Sequence, residues 1–368
     1  MDPSPAPPAA GRLRISGRRG PWWSALVAVV LLVVVGIAGC GGDDGGASGD
    51  ATTTTAASSD RDSDSGAADD PDSGDGDDVA TGSDPTGDLA DCPAGYDEPG
   101  PLEAGEHTGF ASGDQDRAFH LLLPDDAADA PAPLFVSLTG TVQEEVDFMA
   151  QSQIDQLPGA GWIVVAPVRN GNGRVWGPWD AMRGTDVTAP NPDTTLILDL
   201  VACLAAHHPI DLDRVFAGGV SIGGTMVNFL LRHHPDVFAG GIVGSGNFIL
   251  TEPADPQPLD DLTVVVAWGG DGDHWTGCPD GRMGEQYAEE PGCVSVSFVA
   301  DAYDAATFYA DEGARLLACH EDAGHIWLTT GTAWWAEILA ASPRGTTDPL
   351  DPGDPPAPLE CSTTPPDA

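Results

Sequence analysis

Between residues 119 and 320 short, unbroken apolar runs alternate with longer segments whose apolar positions recur every three or four residues. Phe119–Leu123, Leu134–Leu138, Trp162–Ala166, Val215–Ala217, Gly241–Val243, Thr263–Trp268 and Arg315–Cys319 each read as strands. Most are continuously apolar rather than alternating, as expected of parallel strands covered on both faces. Helical periodicity occupies Thr194–His207, Ile222–His234, Asp304–Glu312 and Thr332–Ala341. In the second of these, Met226, Phe229 and Leu230 share one face and Pro235 ends the run. Strands alternating with helices predict a doubly wound, mostly parallel sheet in a single α/β domain.

The amino-terminal quarter follows a different pattern. Arg12, Arg14, Arg18 and Arg19 precede an apolar stretch from Trp22 to Ala38, and Ile37-Ala38-Gly39-Cys40 follows. A basic flank, a short apolar run and small residues at a cut site are the parts of a secretory signal peptide. The final four residues resemble the lipobox of bacterial lipoproteins. That resemblance implies cleavage after residue 39, lipidation of Cys40 and a membrane partner reached through the lipid. Residues 41–91 then carry fifteen Asp and one Arg among Gly, Ser, Thr and Ala. Such a tract cannot bury enough apolar surface to offset its ordering entropy, so residues 40–91 read as an acidic, disordered linker. The expected organisation is a signal peptide over 1–39, this linker, a catalytic domain over 92–345 and a Pro-rich tail over 346–368. The expected location is the cell envelope, lipid-anchored on the outer side of the cytoplasmic membrane, or extracellular.

Charge narrows the partners. The formal net charge is -44, and all 14 basic residues are Arg. A chain without a basic stripe repels phosphate and has no means of releasing counterions, which argues against nucleic acid. Of seven cysteines, six remain if Cys40 carries lipid: Cys92, Cys203, Cys278, Cys293, Cys319 and Cys361. An even number in an exported chain predicts up to three disulfides. Cys278 and Cys293 bracket a Gly/Pro-rich excursion and form one natural pair; Cys92 and Cys361 could tie the two ends of the domain together. No Cys/His spacing suggests zinc, and no metal or cofactor is expected.

The candidate chemistry begins at Gly219-Val220-Ser221-Ile222-Gly223, between the strand ending near Ala217 and the helix from Ile222. This is Gly-x-Ser-x-Gly in the strand–turn–helix setting it requires. The flanking glycines remove Cβ atoms that would collide in the tight turn, and the helix amino terminus offers N–H groups to a developing oxyanion. A catalytic acid and then a His should follow in chain order. After Thr263–Trp268 come Asp271 and Asp273, both placed to reach the sheet's carboxyl edge. After Arg315–Cys319 come His320 and His325, the latter preceded by Gly324. His325 is the expected base, with His320 more suited to packing at the strand end.

With these residues aligned, the chain resembles the polyhydroxybutyrate-depolymerase-like esterases, which include feruloyl and acetylxylan esterase relatives. The likeness covers about residues 105–340. It rests on Asp213-Arg214-Val215-Phe216 running into Gly219-Val220-Ser221-Ile222-Gly223-Gly224, on Pro235-Asp236-Val237-Phe238-Ala239, on Gly270-x-x-Asp273 and on Gly324-His325-Ile326-Trp327. It implies an α/β-hydrolase fold and, through Gly-x-x-Asp, favours Asp273 over Asp271 as the acid. It also implies Thr141 and Ile222 as the backbone oxyanion donors. Trp176 and Trp179 sit where that family places tryptophans, and with Trp275 and Trp327 they could wall a substrate pocket. One departure is Leu138-Thr139-Gly140, where relatives have Leu-His-Gly.

Together these residues imply acyl transfer: Ser221 attacks an ester carbonyl, His325 moves the proton, and Asp273 holds the imidazole. A short-chain, hydroxyalkanoate or feruloyl- or acetyl-sugar ester is the expected substrate. A serine peptidase or amidase on the same fold is the alternative enzyme. A non-catalytic, lipid-anchored surface binding protein is the alternative outside catalysis.

Overall fold

The computed structural model describes residue 92, residues 102–125, 131–141, 143–169, 176, 191–248, 253, 256–278 and 282–366. The expected signal peptide, Cys40, the expected acidic linker and Trp179 lie outside the described residues.

A nine-stranded sheet organises these residues, in the order β1-β2-β4-β3-β5-β6-β7-β10-β11. Its strands are β1 (Gly105–Ser112), β2 (Gln115–Leu122), β3 (Ala132–Leu138), β4 (Ile163–Pro167), β5 (Ile210–Val220), β6 (Gly240–Gly244), β7 (Thr263–Trp268), β10 (Arg315–His320) and β11 (Glu360–Ser362). The run from β4 through β3, β5, β6 and β7 to β10 is parallel. β1 and β2 on one side and β11 on the other are antiparallel additions. A short hairpin, β8 (His274–Gly277) with β9 (Val294–Ser297), stands apart as its own sheet.

The unbroken apolar runs have a plain explanation in this arrangement. Successive side chains point to opposite faces, and both faces are covered. In β7, Val264, Val266 and Trp268 enter one core while Val265 and Ala267 enter the other. β3, β4 and β10 divide their residues in the same way. Helices α2 (Pro192–His207), α3 (Ile222–His233) and α4 (Phe298–Asp311) cover the first face. Helices α1 (Glu145–Ser152) and α5 (Thr332–Ala340), with a 3-10 helix at Ile154–Ala160, cover the second.

All seven expected strands and four expected helices are present, Thr263–Trp268 with the expected ends and the others with shifted ones. α2 starts two residues earlier than expected because Asn191 caps it, its Oδ1 accepting from the N–H groups of Asp193 and Thr194 at 2.9 and 3.3 Å. α4 starts at Phe298 rather than Asp304, since Phe298, Ala302, Ala305, Ala306 and Tyr309 form one buried helical face. Two expectations are corrected. Cys92 pairs with Cys203 and Cys361 with Cys319, so no bond ties Cys92 to Cys361; the Cys278–Cys293 pair is present as expected. The segment 346–368 is not merely a tail beyond the domain. Leu359 is buried, Cys361 is bonded to Cys319 near the end of β10, and β11 pairs with β10 to form the sheet's edge.

Candidate active site

The turn between β5 and α3 holds Ser221 at φ 58° and ψ -121°. That region is sparsely populated for a residue with a side chain, at a cost of about 1–3 kcal/mol. The backbone on both sides holds it there: the Ser221 N–H donates to the Gly244 carbonyl at 2.9 Å, and its own carbonyl accepts from the Thr225 N–H at 2.9 Å and Oγ1 at 3.1 Å. The two glycines of the motif are required by space. A Cβ on Gly219 would lie 2.6 Å from the Leu138 oxygen and the Gly223 carbonyl carbon, and one on Gly223 would run into the Leu138 oxygen. The elbow therefore packs directly on the end of β3, where the chain continues into Thr139, Gly140 and Thr141.

That continuation is pinned on its carbonyl side. Thr139 O accepts from Trp176 Nε1 at 2.9 Å, and Gly140 O accepts from the Arg169 guanidinium at 3.0 Å. The other terminal nitrogen of Arg169 bonds the Gln143 carbonyl, and its Nε lies 3.6 Å from the buried Glu145 carboxylate. The Gly140 N–H is held by the Gln143 side chain at 3.2 Å. Ile222, the first residue of α3, belongs to the turn where helical N–H groups lack intrahelical partners. Thr141 and Ile222 thus sit on two segments that touch each other through Gly223.

Asp273 and His325 come from the loops after β7 and β10. These loops are joined where the Gly324 N–H donates to the Gly269 carbonyl at 2.9 Å; a Cβ on Gly269 would collide with Gly324. Asp273 has no exposed surface. Its Oδ1 accepts from His325 Nδ1 at 2.7 Å, and its Oδ2 accepts from Ser245 Oγ at 2.7 Å and the Gly269 N–H at 3.0 Å. Asp271 is exposed. The His325 ring stacks on Phe298, with centroids 4.1 Å apart and planes 15° from parallel. With Nδ1 donating to the carboxylate, Nε2 carries the lone pair, and it is buried with no hydrogen-bond partner. His320 is occupied elsewhere, stacked on Trp268 and 3.7 Å from the Glu360 carboxylate.

Two of the four tryptophans, Trp176 and Trp327, are packed into the core, while Trp275 is half-buried on β8. Trp176 is fully buried and bonded to Thr139, so it meets substrate only through the loop it supports. Trp327 is 6 % exposed, packs edge-on against Phe148 and Trp335, and donates Nε1 to Thr332 at 2.8 Å. Sequence reasoning missed Ser245, Phe298 and Arg169. Ser245 could have been flagged, because Gly244-Ser245-Gly246 is a small-residue turn directly after a strand; Phe298 and Arg169 carry no comparable signal. Among the described residues one cluster of metal-type donors occurs, Cys92, Cys203 and His207, and both of its sulfurs are in a disulfide.

Comparison with known proteins agrees with this architecture. A family model described as "Esterase PHB depolymerase" matches residues 117–254. An oxidized polyvinyl alcohol hydrolase from Pseudomonas sp. is 28% identical over 322 residues, spanning 69% of this chain and 80% of that protein. A second, from Sphingopyxis sp., is 26% identical over 69% of this chain and 82% of its own length. Acetylxylan esterase A from Emericella nidulans is 26% identical over a shorter region, 40% of this chain and 48% of that protein. The crystal structure of native pOPH superposes with a TM-score of 0.61 at 25% identity, covering 75% of this chain and 97% of its own. On its sequence match, its relatives and its sheet, the chain is a carboxylic ester hydrolase with an α/β-hydrolase fold, similar over residues 117–254 to the polyhydroxybutyrate-depolymerase esterases.

Proposed function

We propose that the protein is a serine hydrolase that cleaves carboxylic esters through Ser221, His325 and Asp273. The observation that carries this reading is the Asp273–His325 hydrogen bond of 2.7 Å, buried, with Nε2 left unpartnered. In this reading Ser221 Oγ attacks the ester carbonyl carbon as its proton passes to His325 Nε2. The tetrahedral oxyanion is held by the N–H groups of Thr141 and Ile222. The ester C–O bond then breaks, and the alcohol leaves with the proton from Nε2. Water attacks the acyl-enzyme with His325 again as base, releasing the acid and restoring Ser221. Asp273 keeps the imidazole in the tautomer that bares Nε2 and stabilises the imidazolium as it forms.

Ser221→Ala should lower turnover of p-nitrophenyl butyrate by about 10³-fold or more while the protein stays folded. A fluorophosphonate probe should label the wild type at Ser221. An unchanged rate in the variant would reject the triad.

A second substrate reading comes from the relatives named oxidized polyvinyl alcohol hydrolase, which align over most of the domain. Assaying oxidized polyvinyl alcohol beside p-nitrophenyl butyrate, with polymer chain length as the readout, distinguishes the two. For location, the three disulfides fit an oxidising compartment. We infer that Cys40 anchors the mature chain to the membrane by lipid and that residues 41–91 tether the domain. Metabolic labelling with a fatty-acid analogue, lost in Cys40→Ala, tests this.

A further inference from the structure

The Asp273 carboxylate is fully buried, so hydrogen-bond donors must hold it. Three do: His325 Nδ1, the Gly269 N–H and the Ser245 hydroxyl. Ser245 belongs to a strap, residues 244–248, that leaves β6 between nucleophile and acid. Gly244 O accepts the Ser221 N–H, and the Ser245 N–H donates to the Ala267 carbonyl of β7 at 2.7 Å. The Asn247 N–H donates to Thr225 Oγ1 at 2.9 Å, and that hydroxyl donates to the Ser221 carbonyl. The Asn247 side chain and the Phe248 N–H both donate to the Asp301 carboxylate of α4, at 2.8 and 3.0 Å. Ser245 itself is held at φ 42°, a backbone region that side chains rarely adopt. A serine kept in a strained conformation, in a strap bonded to both halves of the site, is placed for its hydroxyl.

We propose that Ser245 is a positioning residue: its hydroxyl fixes Oδ2 of Asp273, reserves Oδ1 for His325, and thereby sets the basicity of the imidazole. The inference rests on the triad reading above. Without the hydroxyl the carboxylate loses one of two donors on Oδ2, so its charge concentrates on the bond to His325. A less stabilised carboxylate holds its proton to higher pH, and a stronger acceptor beside Nδ1 favours the imidazolium. Both effects move the acid limb of the pH–rate profile upward. The ionisable groups around the pair stay in place: Asp271 and His274 on the acid loop and β8, His320, Glu321 and Asp322 after β10, and Asp301 on α4.

The test is the rate of Ser221 inactivation by a fluorophosphonate across pH 4–9, a readout independent of the natural ester. It is measured on the full chain for wild type, Ser245→Ala and Ser245→Gly. Glycine removes the hydroxyl and relieves the strained φ, so it keeps the test valid should the alanine variant unfold. The expected result for both is a rate lower by on the order of tenfold at pH 7 and an acid limb raised by about one pH unit. An acid limb that stays in place, whether or not the rate falls, overturns the proposal by leaving Ser245 a packing role. Ser221→Ala separates the two readings. If its turnover of p-nitrophenyl butyrate persists, the triad itself fails; if that is lost and the Ser245 limb is unmoved, only this inference fails.

Discussion

Replacing Gly223 by alanine tests how closely the elbow depends on its contact with β3. The added Cβ would lie 2.8 Å from both the Leu138 carbonyl carbon and the Thr139 oxygen, and nearer still to the Leu138 oxygen. All three are backbone atoms. Leu138 is registered against Gly219 in the sheet, and Thr139 O is held by Trp176, so neither can move aside alone. The helix start must separate from β3 by about 1 Å, because the nearest contact, to the Leu138 oxygen, is far inside van der Waals distance. Overpacking of this kind costs about 1–3 kcal/mol, and with rigid backbone on both sides we expect the upper end, about 3 kcal/mol. For a domain of this size that corresponds to a Tm lower by about 5–10 °C. The same displacement moves Ile222 relative to Thr141, and the fluorophosphonate rate should fall by about 10²-fold. Gly159→Ala is the control, because a Cβ there meets nothing within 4 Å and its φ is not positive. It should stay within about 0.5 kcal/mol of wild type. Urea unfolding and probe kinetics on the pair decide the matter. A Gly223→Ala protein as stable and as fast as the Gly159→Ala control would refute the packing argument.

Three further outcomes follow from named contacts. Asp273→Asn should lower kcat by about 10³–10⁴-fold by disfavouring the required imidazole tautomer, whereas Asp271→Asn at an exposed position should change it by less than about twofold; steady-state kinetics showing the reverse order would move the acid to Asp271. Arg169→Met frees the Gly140 and Gln143 carbonyls, so kcat should fall by about 10–10²-fold with KM nearly constant; a raised KM at unchanged kcat would place Arg169 in substrate binding instead. Burial pushes the Asp301 carboxyl above its ordinary value of 3.8, against the hydrogen bonds from Phe248 and Asn247 that favour its ionised form. The native carboxyl then holds its proton to higher pH than the unfolded one, so its contribution is full below pH 3.8 and declines as pH rises through the raised value. Thermal denaturation should therefore show Asp301→Asn more destabilised relative to wild type at pH 4 than at pH 7, and an equal difference at both would refute the assignment.

Local pattern and chain order were enough for the outline of this protein. Seven strands were readable because burial on both faces leaves runs such as Thr263–Trp268 without polar residues, and four helices because one apolar stripe repeats at helical spacing. Ser221 was readable because its turn needs glycine on both sides, a demand written in consecutive residues. His325 and the Asp271/Asp273 pair were readable as positions after strands, since the fold brings those loops to one edge. Features that depend on distant partners were not available in this way. β1, β8, β9 and β11 are short or half-exposed, and their pairing rather than their composition makes them strands. Cysteine number predicted up to three bonds, but only the topology brings Cys361 to Cys319 and Cys92 to Cys203. Between Asp271 and Asp273, two residues apart, burial and the 2.7 Å approach to His325 make the difference. Trp176, Arg169, Ser245 and Phe298 act through contacts spanning tens of residues, and no local rule encodes a partner that far along the chain. The sequence by itself determined the fold class and the order of the candidate residues, because both follow from short-range sterics and burial; the tertiary structure decided which donors meet which acceptors, because that depends on where the sheet's loops converge.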